Sequence, residues 1–356
     1  MRRLALWAVG ILLVFGRLAC GPLANTPPAP VVVAAPVLGQ VVQPGPGDRT
    51  ADIQAAIDAA QVSGAPVVYL LPGSGMGRAV YDVSATLVLD GTVSLVCPSG
   101  KDATLRWTGE GRGPMLRVLD SPGGTANMRI EGLWFHGGGV ADGIEAARMT
   151  YGDAIRHCDF VYLRNAVTVA QSWGLIIDNC TFFKVAGQAL RLESNSGGTL
   201  TRCRFMACSG TGLEPGAALV EVSGHTGTLA NLQFETNNVG DRPLLHVGGR
   251  LKIVQGLYFE GHGTRQSTVA VRIAGEYHII EQVNVCNYQV DPGIQYVLEV
   301  EGQGHSISGI RGQKFLPDSA VIRVHGPEGS SDVGWVEDYS GTGQPASALV
   351  LWDSCP

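Results

Sequence analysis

The chain has 356 residues, a formal charge of −6, only 16% charged residues and 49 glycines. That balance excludes a coiled coil or a helical bundle, which needs far more Glu, Lys and Leu. With 45% hydrophobic residues the body is not disordered, and no run of Lys or Arg exceeds two residues, so nucleic acid and anionic membrane surfaces are poor partners.

At the N-terminus, Arg2 and Arg3 precede an apolar run from Leu4 to Phe15, and the small residues Ala19, Cys20 and Gly21 follow. This order predicts a secretory signal over residues 1–20, and the run is shorter than the roughly 20 residues a spanning helix needs. Leu18-Ala19-Cys20-Gly21 also resembles the lipobox of bacterial lipoproteins, although Arg17 stands where that motif has Leu. Residues 21–47 are rich in proline and read as an extended linker. The expected location is outside the cytoplasm, either secreted or attached to the cell envelope. Membrane contact is expected only through a lipid on Cys20.

Beyond the linker, Thr50 to Val62 puts Ile53, Ala56, Ile57 and Ala60 on one helical face, as a helix capping the first coil of a solenoid would. The main body, 48–340, is then repetitive. Ile130-x-x-Leu133-x-Phe135 recurs as Ile155-x-x-Cys158-x-Phe160, Ile177-x-x-Cys180-x-Phe182, Leu200-x-x-Cys203-x-Phe205, Leu229-x-x-Leu232-x-Phe234 and Val254-x-x-Leu257-x-Phe259. Weaker copies follow around Val283, Ile310 and Val336, and the middle anchors lie 22 to 29 residues apart.

Each copy has a second apolar half with a period of two, such as Val167-Thr-Val169, Leu190-Arg-Leu192 and Val220-Glu-Val222. That period marks a strand with one buried face. The residue before each middle anchor is often Gly or Asn (Gly132, Asn179, Asn231, Gly256, Gly309), types that tolerate the left-handed backbone of a sharp bend. Three short strands per unit of about 25 residues predict an all-β, right-handed parallel β-helix of about nine to ten coils with an N-terminal capping helix. The Phe column and Cys158, Cys180 and Cys203 would stack inside it. A leucine-rich repeat would put a helix after its strand, whereas the second half here is β-patterned. Residues 341–356 are expected to form a C-terminal cap or tail.

Past Cys20 there are seven cysteines, so at least one stays unpaired in a monomer. No CxxC pair and no Cys/His cluster at zinc spacing occurs, so no bound metal or other cofactor is expected, calcium being the one ion left open.

The segments Asp52-Ile-Gln-Ala-Ala-Ile-Asp-Ala-Ala60, Val67-Val-Tyr-Leu-Leu-Pro-Gly73 and Thr86-Leu-Val-Leu89, with the Ile-x-x-Cys-x-Phe coils, resemble the pectate-lyase superfamily of secreted β-helix proteins. The resemblance covers roughly 48–340. It implies the fold and a polysaccharide partner but no single reaction, because that superfamily holds lyases, hydrolases, epimerases, tail fibres and members without known activity. Gly261-His262-Gly263 and Arg272-Ile273 look like polygalacturonase motifs, but they lie too close together, Ala274 stands where Lys is required, and no Asp-Asp pair exists.

The resemblance implies that substrate lies along the strand after the longer loop. Its outward residues are Glu145, Thr168, Arg191, Glu221, His246, Arg272, Glu299 and Arg323. Alternating charges on neighbouring strands also stabilise a sheet without any function. A second column holds Glu235 and Glu260 on adjacent coils, which stacking would bring roughly 5 Å apart. Such a pair splits into one acid and one base and suits glycosidic hydrolysis. A lyase would instead use His246 or His262 as base with Arg272 as the cation. The candidate catalytic set is therefore Glu235, Glu260, His246 and Arg272, and the candidate substrate-binding set is Arg191, Glu221, His262 and Glu299. The expected function is that of an exported polysaccharide-interacting protein, a polysaccharide lyase or glycoside hydrolase; the alternative is a non-catalytic adhesive or structural β-helix at the cell surface. Nothing in the sequence sets the oligomeric state.

Overall fold

The structure is a computed structural model and describes residues 39–353 apart from 64–65, 74–76, 121–126, 241, 261–268, 287–295, 313–319, 328 and 339–348. The segments 1–20 and 21–38, and His262, lie outside the described residues.

Every strand pairing is parallel, and three sheets run along the solenoid. Sheet A starts at Gln40–Val42 and Val67–Leu70, passes through Ala154–Arg156 and Ile176–Asp178, and ends at Asp332–Val333. Sheet B starts at Ala79–Val83 and Ala103–Trp107, carries the phenylalanine column and ends at Val336–Asp338. Sheet C starts at Leu87–Asp90 and Pro114–Leu119 and ends at Val350–Asp353. The solenoid thus runs past the expected bounds at both ends. Gln40–Val42 belongs to sheet A although it falls in the proline-rich stretch, and Val350–Asp353 continues sheet C where a cap or tail was expected.

The repeat anchors sit in register. Ile130, Ile155, Ile177, Leu200 and Leu229 stack in one column, and all are buried. Rings of Phe135, Phe160, Phe182, Phe205, Phe234 and Phe259 stack at centroid distances of 4.6 to 5.1 Å. That distance is the spacing of hydrogen-bonded strands, so one repeat length sets both the backbone ladder and the aromatic stack. Cys158, Cys180 and Cys203 are buried free thiols beside this stack.

The A-to-B bend is left-handed at every anchor-preceding residue from Gly132 to Gly309, including three side chains that disfavour that conformation: His157 (φ 53°), Arg202 (φ 53°) and Gln282 (φ 56°). A second left-handed column follows the phenylalanines at Tyr162, Lys184, Ala207 and Thr236, and composition does not reveal it.

Helix α1 (Thr50–Ser63) buries Ile53, Ile57 and Ala60 at the N-terminal end of the solenoid. Gln54 covers the open edge of sheet C, donating from Nε2 to the Val88 carbonyl at 3.0 Å and accepting the Val88 N–H at 2.8 Å. Asp48 accepts the Thr50 N–H at 3.0 Å and the Ser84 hydroxyl at 2.6 Å, and these bonds hold its carboxyl down at about 2.

Candidate functional site

Sheet C turns the middle residue of each apolar-x-apolar strand to the outside. Thr168, Arg191, Glu221 and His246 are consecutive partners in that column. Above them lies a groove of about 820 Å³. Its floor is this column, and its wall is built from the loops joining sheets B and C, from Val140, Arg164 and Asn165, through Gln188, to Thr211–Ala217. The last of these loops lies in the coil between Cys203 and Leu232, the longest interval in the repeat.

The groove is polar and carries both charges. Arg164 donates from Nε to Asp142 at 2.8 Å and also through Nη2, so its charge is neutralised. Arg191 reaches Glu193 at 2.6 Å, both on the exposed surface. Arg112 has no ion-pair partner among the described residues. Gln188 donates to the Glu221 carboxylate at 3.0 Å and to the Ala218 carbonyl at 3.2 Å, which ties floor to wall.

His246 differs from its neighbours. Its Nε2 is buried and has no hydrogen-bond partner among the described residues. Burial pushes its pKa down, Glu221 pulls it up and Arg272 pushes it down again, with a net lowering. The ring is therefore neutral at pH 7, with one of its two nitrogens unprotonated.

The structure separates the other candidates. Glu235 and Glu260 are in register, as expected, but they sit on sheet B and do not line the groove. Arg204 approaches Glu235 at 3.0 Å, and the Tyr258 hydroxyl donates to Glu260 at 2.9 Å. Asn237, two residues on from Glu235, points inward and serves the backbone of Cys208 and Phe205. Arg272 does adjoin His246 on sheet C, but its Nε donates to Glu299 at 2.8 Å. Glu299 is buried, and it also accepts from His325 at 2.9 Å and faces Arg323 at 3.6 Å. Burial would raise its pKa, but the bonds from His325 and Arg272 win and lower it. Glu299, Glu301 and His325 could bring ligand atoms within 4.8 Å of one another, yet a cation there would displace two guanidiniums already bound to Glu299.

Sequence reading missed Arg112, Arg164 and Gln188. They reach the groove from loops, where no periodicity reports side-chain direction.

The three-sheet coil with its left-handed bends defines the class by fold: this is a right-handed parallel β-helix protein. A family model for the right-handed β-helix region matches residues 124–263. No curated protein matches the chain by sequence. Among solved structures it is similar to a mannuronic acid specific polysaccharide family 6 lyase from human gut microbiota, with a TM-score of 0.53 and 12% identity over 83% of this chain and 69% of that one. It is also similar to the enzymatically active domain of tailspike protein 2 of bacteriophage CBA120, with a TM-score of 0.54 and 11% identity over 87% of this chain and 54% of that one. A mannuronan C-5 epimerase A-module of Azotobacter vinelandii gives a TM-score of 0.49 and 13% identity over 88% and 97%. At these identities the likeness is one of fold.

Proposed function

We propose that the protein is exported and binds an acidic polysaccharide along sheet C, cleaving it by elimination with His246 as the base. The observation that carries this is His246 itself, an imidazole held neutral by partial burial where it lines the end of the 820 Å³ groove. A similar fold carries a polysaccharide lyase. In the reaction His246 takes the proton on the sugar carbon next to the carboxylate. The glycosidic C–O bond at the adjacent carbon breaks, its electron pair leaves with the oxygen, and a carbon–carbon double bond forms. The leaving oxygen takes a proton from solvent. Arg112, the lining guanidinium without an ion pair among the described residues, holds a sugar carboxylate, which lowers the cost of charge building up beside it. Hydrolysis by paired carboxylates fits less well, since Glu235 and Glu260 lie on sheet B.

The purified protein is screened on acidic and neutral polysaccharides, with calcium and with chelator, reading unsaturated ends by ultraviolet absorbance and reducing ends chemically. Unsaturated product that falls roughly 10²–10⁴-fold in His246→Ala supports the reading. Reducing ends without unsaturation, or full activity in His246→Ala, overturn it. Retention without turnover would assign the adhesive role, which the internally paired Arg272–Glu299–Arg323 stretch favours.

A further inference from the structure

A second concavity, of about 620 Å³, opens on a different side of the solenoid, along the A-to-B bend over the last coils. We propose that it is a separate binding site for a neutral, hydroxyl-rich glycan, with one pyranose ring laid on Trp335.

The bend column explains why a hollow exists there. Earlier coils fill this column with side chains, Asn179, Arg202 and Asn231. In the last coils Gly256 (φ 65°) and Gly309 (φ 65°) flank Gln282, and the surface is cut back to backbone. A Cβ at Gly256 would stand 2.6 Å from the Asn231 side-chain oxygen, so a side chain there would have to push the Asn231 amide aside. At its far end Trp335 is 51% exposed and lines the hollow. Arg311 lies 4.8 Å from the indole centroid and is itself paired with Glu337 at 3.0 Å, which holds the ring against the groove.

The polar groups are those that read hydroxyls. Asn284 sits in register between Tyr258 and Arg311 on the floor of sheet B. The side-chain amides of Asn284 and Gln282 have no protein partner among the described residues and face the hollow. Each offers donor and acceptor together, as a sugar hydroxyl requires. An anionic ligand fits poorly, because the one lining cation, Arg311, is already paired and Glu281 lines the same wall. A flat aromatic face with convergent amides and little net charge matches a neutral pyranose, whose C–H face packs on the ring while its hydroxyls bond at the rim.

The site differs from the sheet C groove in position and in charge, and it does not depend on that groove being catalytic. The test is affinity electrophoresis of the purified protein in gels containing hydroxyethyl cellulose, galactomannan, xylan or glycogen, with tryptophan fluorescence as a second readout. Retardation by at least one of these is expected, weakened about tenfold or more in Trp335→Ala and several-fold in Asn284→Ala. His246→Ala should be retarded like the parent. Thermal melts of both site variants should match the parent, since neither side chain is buried. The proposal is overturned by a parent protein retarded by none of the four, by Trp335→Ala retarded like the parent, or by retardation lost only in His246→Ala. Failure of the lyase screen with retained Trp335-dependent retardation would sink the reading of sheet C and leave this site standing.

Discussion

One column of side chains behaves in two ways along sheet C. From Thr168 to His246 the residues face a walled groove, and their charges are offered outward or held by wall residues such as Gln188. From Arg272 to Arg323 the same column closes on itself, with Glu299 buried among Arg272, Arg323 and His325, and Asp353 reaching Arg323 at 2.6 Å. An alternating charge pattern therefore has no fixed meaning. Where the long loop after Cys208 stands over the column, the charged groups line an open groove and bond within their own strand or to its wall. Where oppositely charged neighbours meet, they neutralise each other and knit the last coils together.

The sharpest way to break this comparison is to remove one anion from each half. Glu299→Ala strands two guanidiniums around an emptied site and should cost about 3 kcal/mol, read as a lower midpoint in urea. Glu221→Ala removes a half-exposed carboxylate that takes one amide bond and should cost under about 1 kcal/mol while weakening groove binding. Equal midpoints for the two variants would show that the halves are not energetically distinct.

Acid should separate the halves next. Three polar residues, Lys252, His278 and His305, are buried in one internal column, and the two imidazoles stack at 5.2 Å. Lys252 Nζ donates to the Thr226 carbonyl at 3.1 Å, and its backbone N–H donates to His278 Nδ1 at 3.1 Å. Burial lowers His278 from 6.5 to about 4, with His305 and Lys252 pushing the same way, and burial lowers His305 too. A base whose folded pKa is depressed stabilises the fold fully above its unfolded value and loses that contribution as pH falls toward the folded value. The last coils should therefore weaken between pH 6.5 and 4. Hydrogen exchange at pH 7 and pH 5 should show faster opening of Lys252 to His325 than of the coils around Phe160 and Phe182. Lys252→Met, which removes the cation beside His278, should narrow that gap; uniform exchange at both pH values would refute the assignment.

Much of the architecture was legible because the repeat is short and its anchors differ in kind: an aliphatic, then Cys or Leu, then Phe, each stacking on its own type. Left-handed bends were legible at Gly132 or Asn179, where residue type and backbone agree, but not at Lys184 or Tyr162, where tertiary stacking overrides local preference. For the site, period two correctly ordered Arg191, Glu221 and His246 along the outer column. The same reasoning placed Glu235 beside Glu260, which is right, yet said nothing of which side of the prism they occupy. Register reports neighbours along the solenoid axis; the bends between sheets decide what shares a groove, and loop residues such as Arg112 and Arg164 escape both rules.

Arg112 gives the smallest effect and the most specific one. It lines the groove from the loop after Trp107 and lacks an ion pair among the described residues, whereas Arg164 is locked to Asp142. If the groove selects acidic chains by unspent charge, Arg112→Ala should weaken binding a few-fold in dilute buffer, in line with the roughly 0.2–1 kcal/mol of an exposed ion pair. In about 0.5 M salt the difference should vanish, because screening shortens the reach of an exposed charge to a few ångströms. Arg164→Ala should instead act through stability, since it frees Asp142 and the loop it anchors, and its effect on binding should persist at high salt. Isothermal titration of the purified protein with an acidic oligosaccharide at two salt concentrations reads both variants. A salt-independent loss in Arg112→Ala would mean that it shapes the groove and does not attract its ligand.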